Sequence, residues 1–363
     1  MRLPLLEMRR QPNRFVVAAL VLSFLATLLL LLGGLLDGLY LGSTGALRAQ
    51  RADAIVFSSS ARESFLRSRI TDVERASVAA APGVTRVGGL GFVLLGAKVP
   101  GRTALANVAI AGYELPPEGV PAPPADGQGI ADDLLKDDGV KVGATILVGP
   151  AETPVEVIGF TSDTNYLLQG SVWVNLATWR QVQNANRPDA AVGDDVVQAL
   201  AVQGDGDLRT AIDAATGGAT HTLSLDAAVL ALPGVKQQRD TFNQIIYSTL
   251  AVVLAVVGLF FSLLTLERLG LYGVLKAVGS SSRRLFAGVV LQAVIVAVVS
   301  FAIGAAVAAV GSAFLPAGVP LQLTPNRFVF TFVGLLVAAV LGSAVSLRRV
   351  IRVDPASAIG TSS

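Results

Sequence analysis

Four long apolar runs dominate the chain, and none of them contains Asp, Glu, Lys or Arg. They are Phe15–Leu36, Thr241–Leu266, Leu285–Phe314 and Phe328–Leu347. A helix needs roughly 20 mostly apolar residues to cross the hydrocarbon core of a bilayer, so the pattern predicts four transmembrane helices. A secretory signal peptide is the alternative for the first run. Because the apolar region of a signal peptide is only about 7–15 residues long, we expect a retained helix.

The stretch between the first two runs has short apolar segments separated by Gly, Pro and acidic residues. Candidate strands lie at 52–58, 83–99, 105–115, 140–149, 153–160 and the start of 171–183. The adjacent segments 140–149 and 153–160 predict a hairpin. Residues 171–183 turn helical, and 206–216 predict a helix with an Asp near its start. Residues 115–129 predict a loop because they are rich in Pro and Gly. We therefore expect an α+β domain inserted between transmembrane helices 1 and 2.

The composition also indicates a membrane protein. Hydrophobic residues make up 52% of the chain, charged residues 15%, and the mean hydropathy is +0.62. Soluble domains carry about 25% charged residues. The chain has no cysteine, which excludes disulfides and thiolate metal sites.

Basic residues are distributed unevenly along the chain. Eleven of them, with three acidic residues, lie before the first run, between the second and third runs, and after the fourth run. Residues 37–240 hold 16 basic and 23 acidic residues, a net charge of −7. Since Lys and Arg collect on the cytoplasmic side of membrane proteins, we expect both termini in the cytoplasm. The inserted domain is then extracytoplasmic, and the chain lies in the cell (inner or plasma) membrane.

These observations divide the chain into nine predicted segments. They are a cytoplasmic amphipathic segment (1–14), helix 1 (15–36), the extracytoplasmic domain (37–240), helix 2 (241–266), a cytoplasmic coupling segment (267–284), helix 3 (285–314), an outer loop (315–327), helix 4 (328–347) and a cytoplasmic tail (348–363).

Motifs for catalysis or metal binding are absent from the sequence. There is no GxxxxGK[ST] phosphate-binding loop, no HExxH and no GxSxG. We interpret the one histidine, His221, as an ordinary surface residue. Three acidic pairs are interpreted as solvated turns, with a divalent cation site as the alternative: Asp132/Asp133, Asp137/Asp138 and Asp194/Asp195. We predict no catalytic residue, no metal site and no nucleic-acid partner.

The four apolar runs also bear on the source of energy. Ion- or proton-coupled transport usually needs ionisable residues within the membrane, and these runs have none. We therefore expect the chain to be one part of a machine that draws its energy from another subunit.

The segment 267–284, ERLGLYGVLKAVGSSSRR, is short and charged and lies between two charge-free runs. Its centre is compatible with a helix, and Gly279-Ser280-Ser281-Ser282 is expected to end that helix and to cap helix 3. The prediction is a short helix on the inner membrane face that a soluble partner can grip. A plain connecting loop is the alternative.

Small residues recur at close spacing in the last two runs. They are Gly304, Ala308 and Gly311 in helix 3 and Gly334, Ala338 and Gly342 in helix 4. Such residues let helix backbones approach closely in lipid. We expect these helices to pack on each other or on a second copy; a merely Ala- and Gly-rich composition is the alternative.

The stretch ERLGLYGVLKAVGSSSRRLFAGVVLQA (267–293) resembles the signature of MacB/FtsX-type ABC permeases, the type VII ABC transporters. The tail RVDPASAIG (352–360) and the segments 139–160 and 170–183 are also similar to theirs, so the resemblance covers nearly the whole chain. Those proteins have one helix, a large outer domain and three further helices, with both ends inside. Through residues 51–65 the chain is most similar to a short-domain branch that includes haem and glycolipid exporter permeases.

The resemblance implies a permease subunit of an ATP-driven exporter that works by mechanotransmission. Such a permease expels a hydrophobic or amphipathic molecule, haem-like or lipid-like, from the membrane or the periplasmic side. Two copies of a cytoplasmic ABC ATPase would dock on a homodimer of this chain, with ATP and Mg bound by the ATPase and no cofactor in this chain. The family's coupling residues carry over to Glu267, Arg268, Gly273, Lys276, Ala277 and Gly279. Leu271 departs from the family, which often has an acidic residue there.

A substrate groove open to the lipid would lie at the outer ends of helices 1 and 2. Its candidate residues are Leu36, Tyr40, Phe242, Ile246 and Tyr247. Tyrosinate is a known axial ligand of haem iron, so the two tyrosines make haem one candidate substrate. Anchoring at the membrane interface is the alternative role for them.

Two other functions stay open at this stage. An FtsX-like signalling scaffold would activate an extracytoplasmic cell-wall enzyme without moving a solute. Extraction of lipoproteins from the outer leaflet is the third reading, and it requires an acceptor protein.

Overall fold

The computed structural model describes residues 12–267, 270, 274–275, 278–316 and 319–351. The chain forms two compact units. One holds the described residues up to Gly38 and from Arg239 onward, and the other holds Leu39–Gln238. We call the first the helical unit and the second the inserted domain.

The described helices are α1 (Pro12–Arg48), α2 (Asp72–Ala79), α3 (Leu176–Asn186), α4 (Leu208–Ala215), α5 (Leu225–Ala231), α6 (Val235–Glu267), α7 (Ser282–Ser312) and α8 (Pro325–Ile351). Four helices in the described part, α1, α6, α7 and α8, are long and apolar enough to cross a membrane. The prediction of four transmembrane helices is confirmed. Helix α1 continues well past Leu36, the end of the first apolar run, and ends at Arg48.

The small residues of α7 and α8 lie where helices approach each other closely. A Cβ added at Gly304 of α7 would lie 2.8 Å from both the Ala26 Cβ and the Ser23 carbonyl oxygen of α1. A Cβ added at Gly342 of α8 would lie 2.9 Å from the Leu254 carbonyl oxygen of α6. Gly311, in contrast, has nothing within 4 Å. Gly304 and Gly342 therefore allow close approach of α7 to α1 and of α8 to α6, whereas the sequence had suggested that they serve an approach of α7 and α8 to each other.

Hydroxyl groups add polar contacts to the α1–α7 interface. The Thr27 hydroxyl donates to the carbonyl of Gly304 at 3.2 Å, and the Ser300 hydroxyl donates to the carbonyl of Ala19 at 3.1 Å. Hydrogen bonds of this kind between transmembrane helices contribute on average about 0.6 kcal/mol each. They fix the register of α7 against α1.

The inserted domain is built on a nine-stranded mixed sheet. The domain has eleven strands, of which nine belong to this sheet. They are β1 (Ala54–Ser58), β2 (Ile70–Thr71), β3 (Val84–Lys98), β4 (Ala106–Tyr113), β5 (Gln128–Asp132), β6 (Thr145–Val148), β7 (Thr153–Thr161), β8 (Gly170–Asn175), β9 (Val196–Val197), β10 (Ala199–Gly204) and β11 (Thr220–Ser224). The sheet order is β11-β1-β10-β3-β4-β8-β5-β7-β6, and β6 also pairs with β3. The last six strands therefore close into a small barrel. Strands β2 and β9 form a separate pair.

Both faces of this sheet are covered. Val56 of β1 belongs to one hydrophobic cluster, while its neighbours Ile55 and Phe57 belong to a second. The second cluster contains an aromatic group in which Phe92 stacks on Tyr166 at 4.3 Å and meets Trp173 edge-on. Burial raises the pKa of the Tyr166 hydroxyl. This group is a packed core.

Several local predictions for the inserted domain hold. The hairpin is β6–β7, the strand that turns helical is β8 followed by α3, and Asp207 caps α4 by accepting from the Thr210 amide. The candidate strand at 83–99 is β3, which is continuous from Val84 to Lys98 in spite of its glycines. The glycines of β3 leave space for side chains that pack on the strand. At Gly91, for example, an added Cβ would lie 2.3 Å from the ring of Trp179.

Candidate functional site

The coupling segment follows the end of α6. Glu267 is the last residue of α6 and forms an ion pair with Arg14 near the start of α1. Both side chains are about half exposed, at 50% for Arg14 and 52% for Glu267. A pair this exposed adds little stability, at most about 1 kcal/mol. Glu267 therefore lies on an accessible surface next to the first turn of α1.

The break predicted at Gly279 is present. Gly279 has φ +99°, a conformation that residues with a Cβ rarely adopt. The Ser280 amide donates to the Leu275 carbonyl at 2.8 Å, the 6→1 bond that closes a Schellman-type helix end. The Ser281 side chain then accepts from the Arg284 amide and caps α7. The other predicted coupling residues lie outside the described residues: Arg268, Gly273, Lys276 and Ala277.

The candidate groove residues fall into different surroundings. Leu36 and Ile246 are buried in the core of the helical unit, and Phe242 packs against the same cluster. Tyr247 is 61% exposed. Tyr40 belongs to the inserted domain and packs against its aromatic cluster. The first three are thus brought together, but Leu36 and Ile246 are covered within the single chain. Their role in binding a substrate stays a prediction.

A charged cluster that the sequence had not singled out lies in the helical unit. Asp37 of α1 and Arg327 of α8 form an ion pair whose side chains are only 19% and 15% exposed. The Arg327 Nε donates to Asp37 Oδ2 at 3.1 Å, and the Thr324 hydroxyl donates to the same oxygen at 2.8 Å. The signal in the sequence was a pair of opposite charges at the edges of two apolar runs. Their partnership could not be inferred because they lie 290 positions apart.

The chain leading into α8 lies directly on α1 beside this pair. The Gln322 amide donates to the Gly34 carbonyl at 3.0 Å. A Cβ at Gly38 would overlap the Pro320 carbonyl. The glycines of the sequence GGLLDG (33–38) therefore form the surface on which this segment rests, and the Asp37–Arg327 pair holds it there.

Two members of the acidic pairs, Asp132 and Asp138, are bound by neighbouring side chains. No group of three or more His, Asp or Glu side chains that could hold a metal ion is found in the described part of the chain. Asp132 is 2% exposed and accepts hydrogen bonds from the Thr164 amide and hydroxyl at 2.8 and 2.7 Å. Asp138 pairs with Arg102. His221 lies 3.3 Å from the Glu63 carboxylate and is one-third exposed.

Two solved structures of domains resemble part of the chain. The periplasmic region of MacB from Actinobacillus actinomycetemcomitans aligns with a TM-score of 0.36 and 13% identity, covering 50% of this chain and 92% of that one. The extracellular domain of the ABC-type transporter YknZ from Gram-positive bacteria aligns with a TM-score of 0.32 and 12% identity, covering 47% and 100%.

Three curated proteins show the extent of sequence similarity. An uncharacterized ABC transporter permease of Mycobacterium tuberculosis is 27% identical over 368 residues, covering 98% of this chain and 97% of that protein. One from Mycobacterium bovis is 26% identical over 362 residues, with the same coverage. The permease protein HrtB, assigned to a hemin transport system in Staphylococcus haemolyticus, is 28% identical over 118 residues, or 32% of this chain and 34% of that protein.

The helical unit carries the family match. Residues 244–355 match the family described as FtsX-like permease C-terminal, a range that includes most of α6 and all of α7 and α8. The similarity to permeases named for ABC transporters extends over the inserted domain as well. The four long apolar helices agree with a membrane protein. The chain is therefore similar to FtsX-like permeases over residues 244–355 and, over 98% of its length, to a protein named as an ABC transporter permease.

Proposed function

We propose that this permease is the membrane subunit of an ATP-driven exporter. A homodimer of the chain, with both termini and residues 267–284 in the cytoplasm, would bind two copies of a separate ABC ATPase. Closure of the ATPase dimer would move the inserted domains on the far side of the membrane. The observation that carries the proposal is a family match to a permease in a chain without a phosphate-binding loop.

The ATPase is expected to bind the turn between α6 and α7. Glu267 offers an exposed carboxylate at the end of α6, and Gly279 forces the chain to turn sharply before Ser281 starts α7. A segment that joins two long helices in sequence can transmit a force from a bound ATPase to both of them. The basic residues near it agree with a cytoplasmic location.

The expected substrate is hydrophobic or amphipathic. The four charge-free runs contain no Asp, Glu, Lys, Arg or His, so they lack the side chains that usually relay protons or bind ions within a membrane. The similarity to HrtB, whose name assigns it to hemin transport, makes haem one candidate, and a lipid is another. Tyr247, which is exposed, is the side chain best placed to meet either from the lipid side.

Co-purification tests the docking proposal. The native chain would be isolated from its host in mild detergent and compared with the Glu267→Ala/Lys276→Ala variant by mass spectrometry. Retention of an ABC ATPase by the native chain and its loss from the variant would support the proposal. If an extracytoplasmic protein is retained and no ATPase is found, the scaffold function is favoured and the exporter is excluded.

Arg14→Ala provides the matched control. It removes the partner of Glu267 within the chain and leaves the Glu267 carboxylate available to an ATPase. If Glu267 acts by contacting the ATPase, Arg14→Ala retains the ATPase. Equal loss in Arg14→Ala and Glu267→Ala would mean that the carboxylate acts only through its internal ion pair.

A further inference from the structure

The connection between α7 and α8 has the composition of a membrane segment. From Leu285 to Asn326 the chain contains no Asp, Glu, Lys, Arg or His, so the charge-free stretch of α7 continues through the whole connection. Its described part, residues 313–316 and 319–324, is here called the outer segment. Loops that lie in water are usually polar. The composition of the outer segment therefore indicates an apolar environment.

The free side of the outer segment presents apolar side chains. Phe314 is 83% exposed, and Leu315 and Val319 are 40% and 38% exposed. Val310, one turn before Phe314 in α7, and Val329 in α8 are both 62% exposed. A single exposed apolar residue is ordinary on a protein surface, but these residues follow one another between two helices that are apolar enough to cross a membrane. The exposed apolar surface of those helices thus continues onto the outer segment.

The opposite side of the outer segment rests on α1. A Cβ added at Gly34 would lie 2.8 Å from Cδ2 of Leu323 and 3.5 Å from Cγ of Leu321. Gly34 belongs to the charge-free run that ends at Leu36. Because the outer segment touches α1 within this run, it lies level with the end of the apolar part of the helix and does not project far beyond it.

The backbone of the outer segment needs few hydrogen bonds from water. The Val319 amide donates to the Pro316 carbonyl at 3.0 Å, the Leu321 amide to the Val319 carbonyl at 2.8 Å, and the Gln322 amide to the Gly34 carbonyl at 3.0 Å. Three positions in or next to the segment have no amide hydrogen because they are proline: Pro316, Pro320 and Pro325. Irregular backbone close to lipid must have its polar groups satisfied within the protein, and this segment largely meets that condition.

The charges that border the outer segment are compensated within the chain. Asp37 and Arg327 pair with each other, and their side chains are only 19% and 15% exposed. Asp37 also accepts from the Thr324 hydroxyl at 2.8 Å. Charged groups near the hydrocarbon of a membrane are tolerated when they are paired. The exposed polar groups of Gln322 and Asn326 are uncharged amides, which can hydrogen-bond to water or lipid headgroups at the boundary of the bilayer.

We propose that the outer segment is an interfacial membrane anchor. Phe314, Leu315 and Val319 enter the acyl chains of the lipid leaflet at this end of the helical unit. The Asp37–Arg327 pair holds the segment at that depth. The partner of this surface is the lipid bilayer itself, because the surface is apolar, free of charge and continuous with the exposed faces of α7 and α8. Segments of this kind bind through the apolar area that they bury in the boundary between headgroups and acyl chains.

Spin labels measure the depth of the outer segment directly. The chain has no cysteine, so Phe314→Cys and Val319→Cys can each be labelled alone in the full chain, in nanodiscs of phosphatidylcholine and phosphatidylglycerol. The collision rate of each label is measured with oxygen, which concentrates in lipid, and with a water-soluble nickel chelate. Phe24→Cys, in the middle of the first run and 68% exposed, gives the value for lipid; Leu105→Cys, in the inserted domain and 59% exposed, gives the value for water.

The anchor predicts an oxygen-to-nickel ratio at both outer positions that is close to the ratio at Phe24→Cys and severalfold above that at Leu105→Cys. A ratio equal to that at Leu105→Cys would place the segment in water and overturn the proposal. Low collision rates with both reagents, together with spin–spin broadening between chains, would also overturn it, because a second copy of the chain would then cover this surface.

Variants of the charged pair test what holds the segment at its depth. In the Val319→Cys chain, Asp37→Asn should raise the nickel collision rate severalfold, while the label at Phe24→Cys stays unchanged and reports that the helical unit is folded. Thr324→Val, which removes only the hydroxyl that donates to Asp37, should have a smaller effect in the same direction. Asp240→Asn is the matched control, because it removes an exposed carboxylate near the start of α6 and should change neither label.

An unchanged nickel collision rate at Val319→Cys in both Asp37→Asn and Thr324→Val would overturn the role of the pair. The depth measurement in the chain with its native pair decides the anchor even if Asp37→Asn does not fold. Neither measurement uses an ATPase. If no ATPase co-purifies but the outer labels lie in lipid, the exporter function fails and the anchor stands; if an ATPase is retained but these labels lie in water, the reverse holds.

Discussion

Replacing Gly304 by alanine should separate α7 from α1. The new methyl group would lie 2.8 Å from the Ala26 Cβ and the Ser23 carbonyl oxygen, well inside ordinary van der Waals contact. Overpacking of this kind costs about 1–3 kcal/mol, and weakening the Thr27–Gly304 hydrogen bond adds about 0.6 kcal/mol. Alanine's higher helix propensity offsets at most about 1 kcal/mol. We expect a net loss of about 1–3 kcal/mol.

Gly311→Ala is the control, because it makes the same substitution in the same helix with nothing within 4 Å. It should leave the free energy of unfolding unchanged or raise it by up to about 1 kcal/mol. Both variants would be unfolded in mixed micelles with increasing SDS, and helix content would be followed by circular dichroism. If the two midpoints shift equally, close packing at Gly304 is refuted and only helix propensity is being measured.

Two further predictions concern charged groups. Asp37→Asn should lower the free energy of unfolding by about 2–3 kcal/mol, because it leaves Arg327 uncompensated in a mostly buried site. Arg327→Gln in the same chain should restore part of this loss in a double-mutant cycle, whereas additive losses would contradict a direct pairing. Hydrogen bonds from Thr210 lower the pKa of Asp207, the cap of α4, below its ordinary value of 3.8. The cap therefore stabilises α4 fully above pH 3.8, and this stabilisation is lost as the pH falls through the lowered pKa of Asp207. Protection of the Thr210 amide against hydrogen exchange, measured over the acid range, should fall as Asp207 is protonated. Protection that stays constant over this range would argue against the cap.

The four membrane helices could be predicted because each corresponds to a charge-free run. The extension of α1 could not, because the sequence after Leu36 contains Gly38, Gly42 and Gly45 and resembles a loop. The helix continues to Arg48, and residues 163–168, more than a hundred positions later, form hydrogen bonds with its backbone at Gly42, Ser43 and Ala46. A contact between distant segments leaves no periodic pattern in either one.

In the sheet, too, pairing between adjacent strands could be predicted, whereas pairing between strands distant in sequence could not. The β6–β7 hairpin was predictable because its strands are adjacent in sequence. The parallel pairs β4–β8 and β5–β7 were not, since apolar strands of similar length offer many alternative partners. In the candidate site, Gly279 and Ser281 were recognisable from local capping chemistry, whereas the Asp37–Arg327 pair depends on the packing of α1 against the segment before α8.

The sheet order has a consequence for how the protein is made. Among the described residues, strand β1 pairs with β10 and β11 only, and Val202, the partner of Ala54, is synthesised 148 residues later. At a translation rate of about 5–20 residues per second, β1 waits on the order of ten seconds without a partner. During that interval the apolar segment AIVFS is exposed next to a newly inserted helix. Contact between two nascent chains during that interval is expected to favour aggregation through β1, because an unpaired strand edge can pair with another chain.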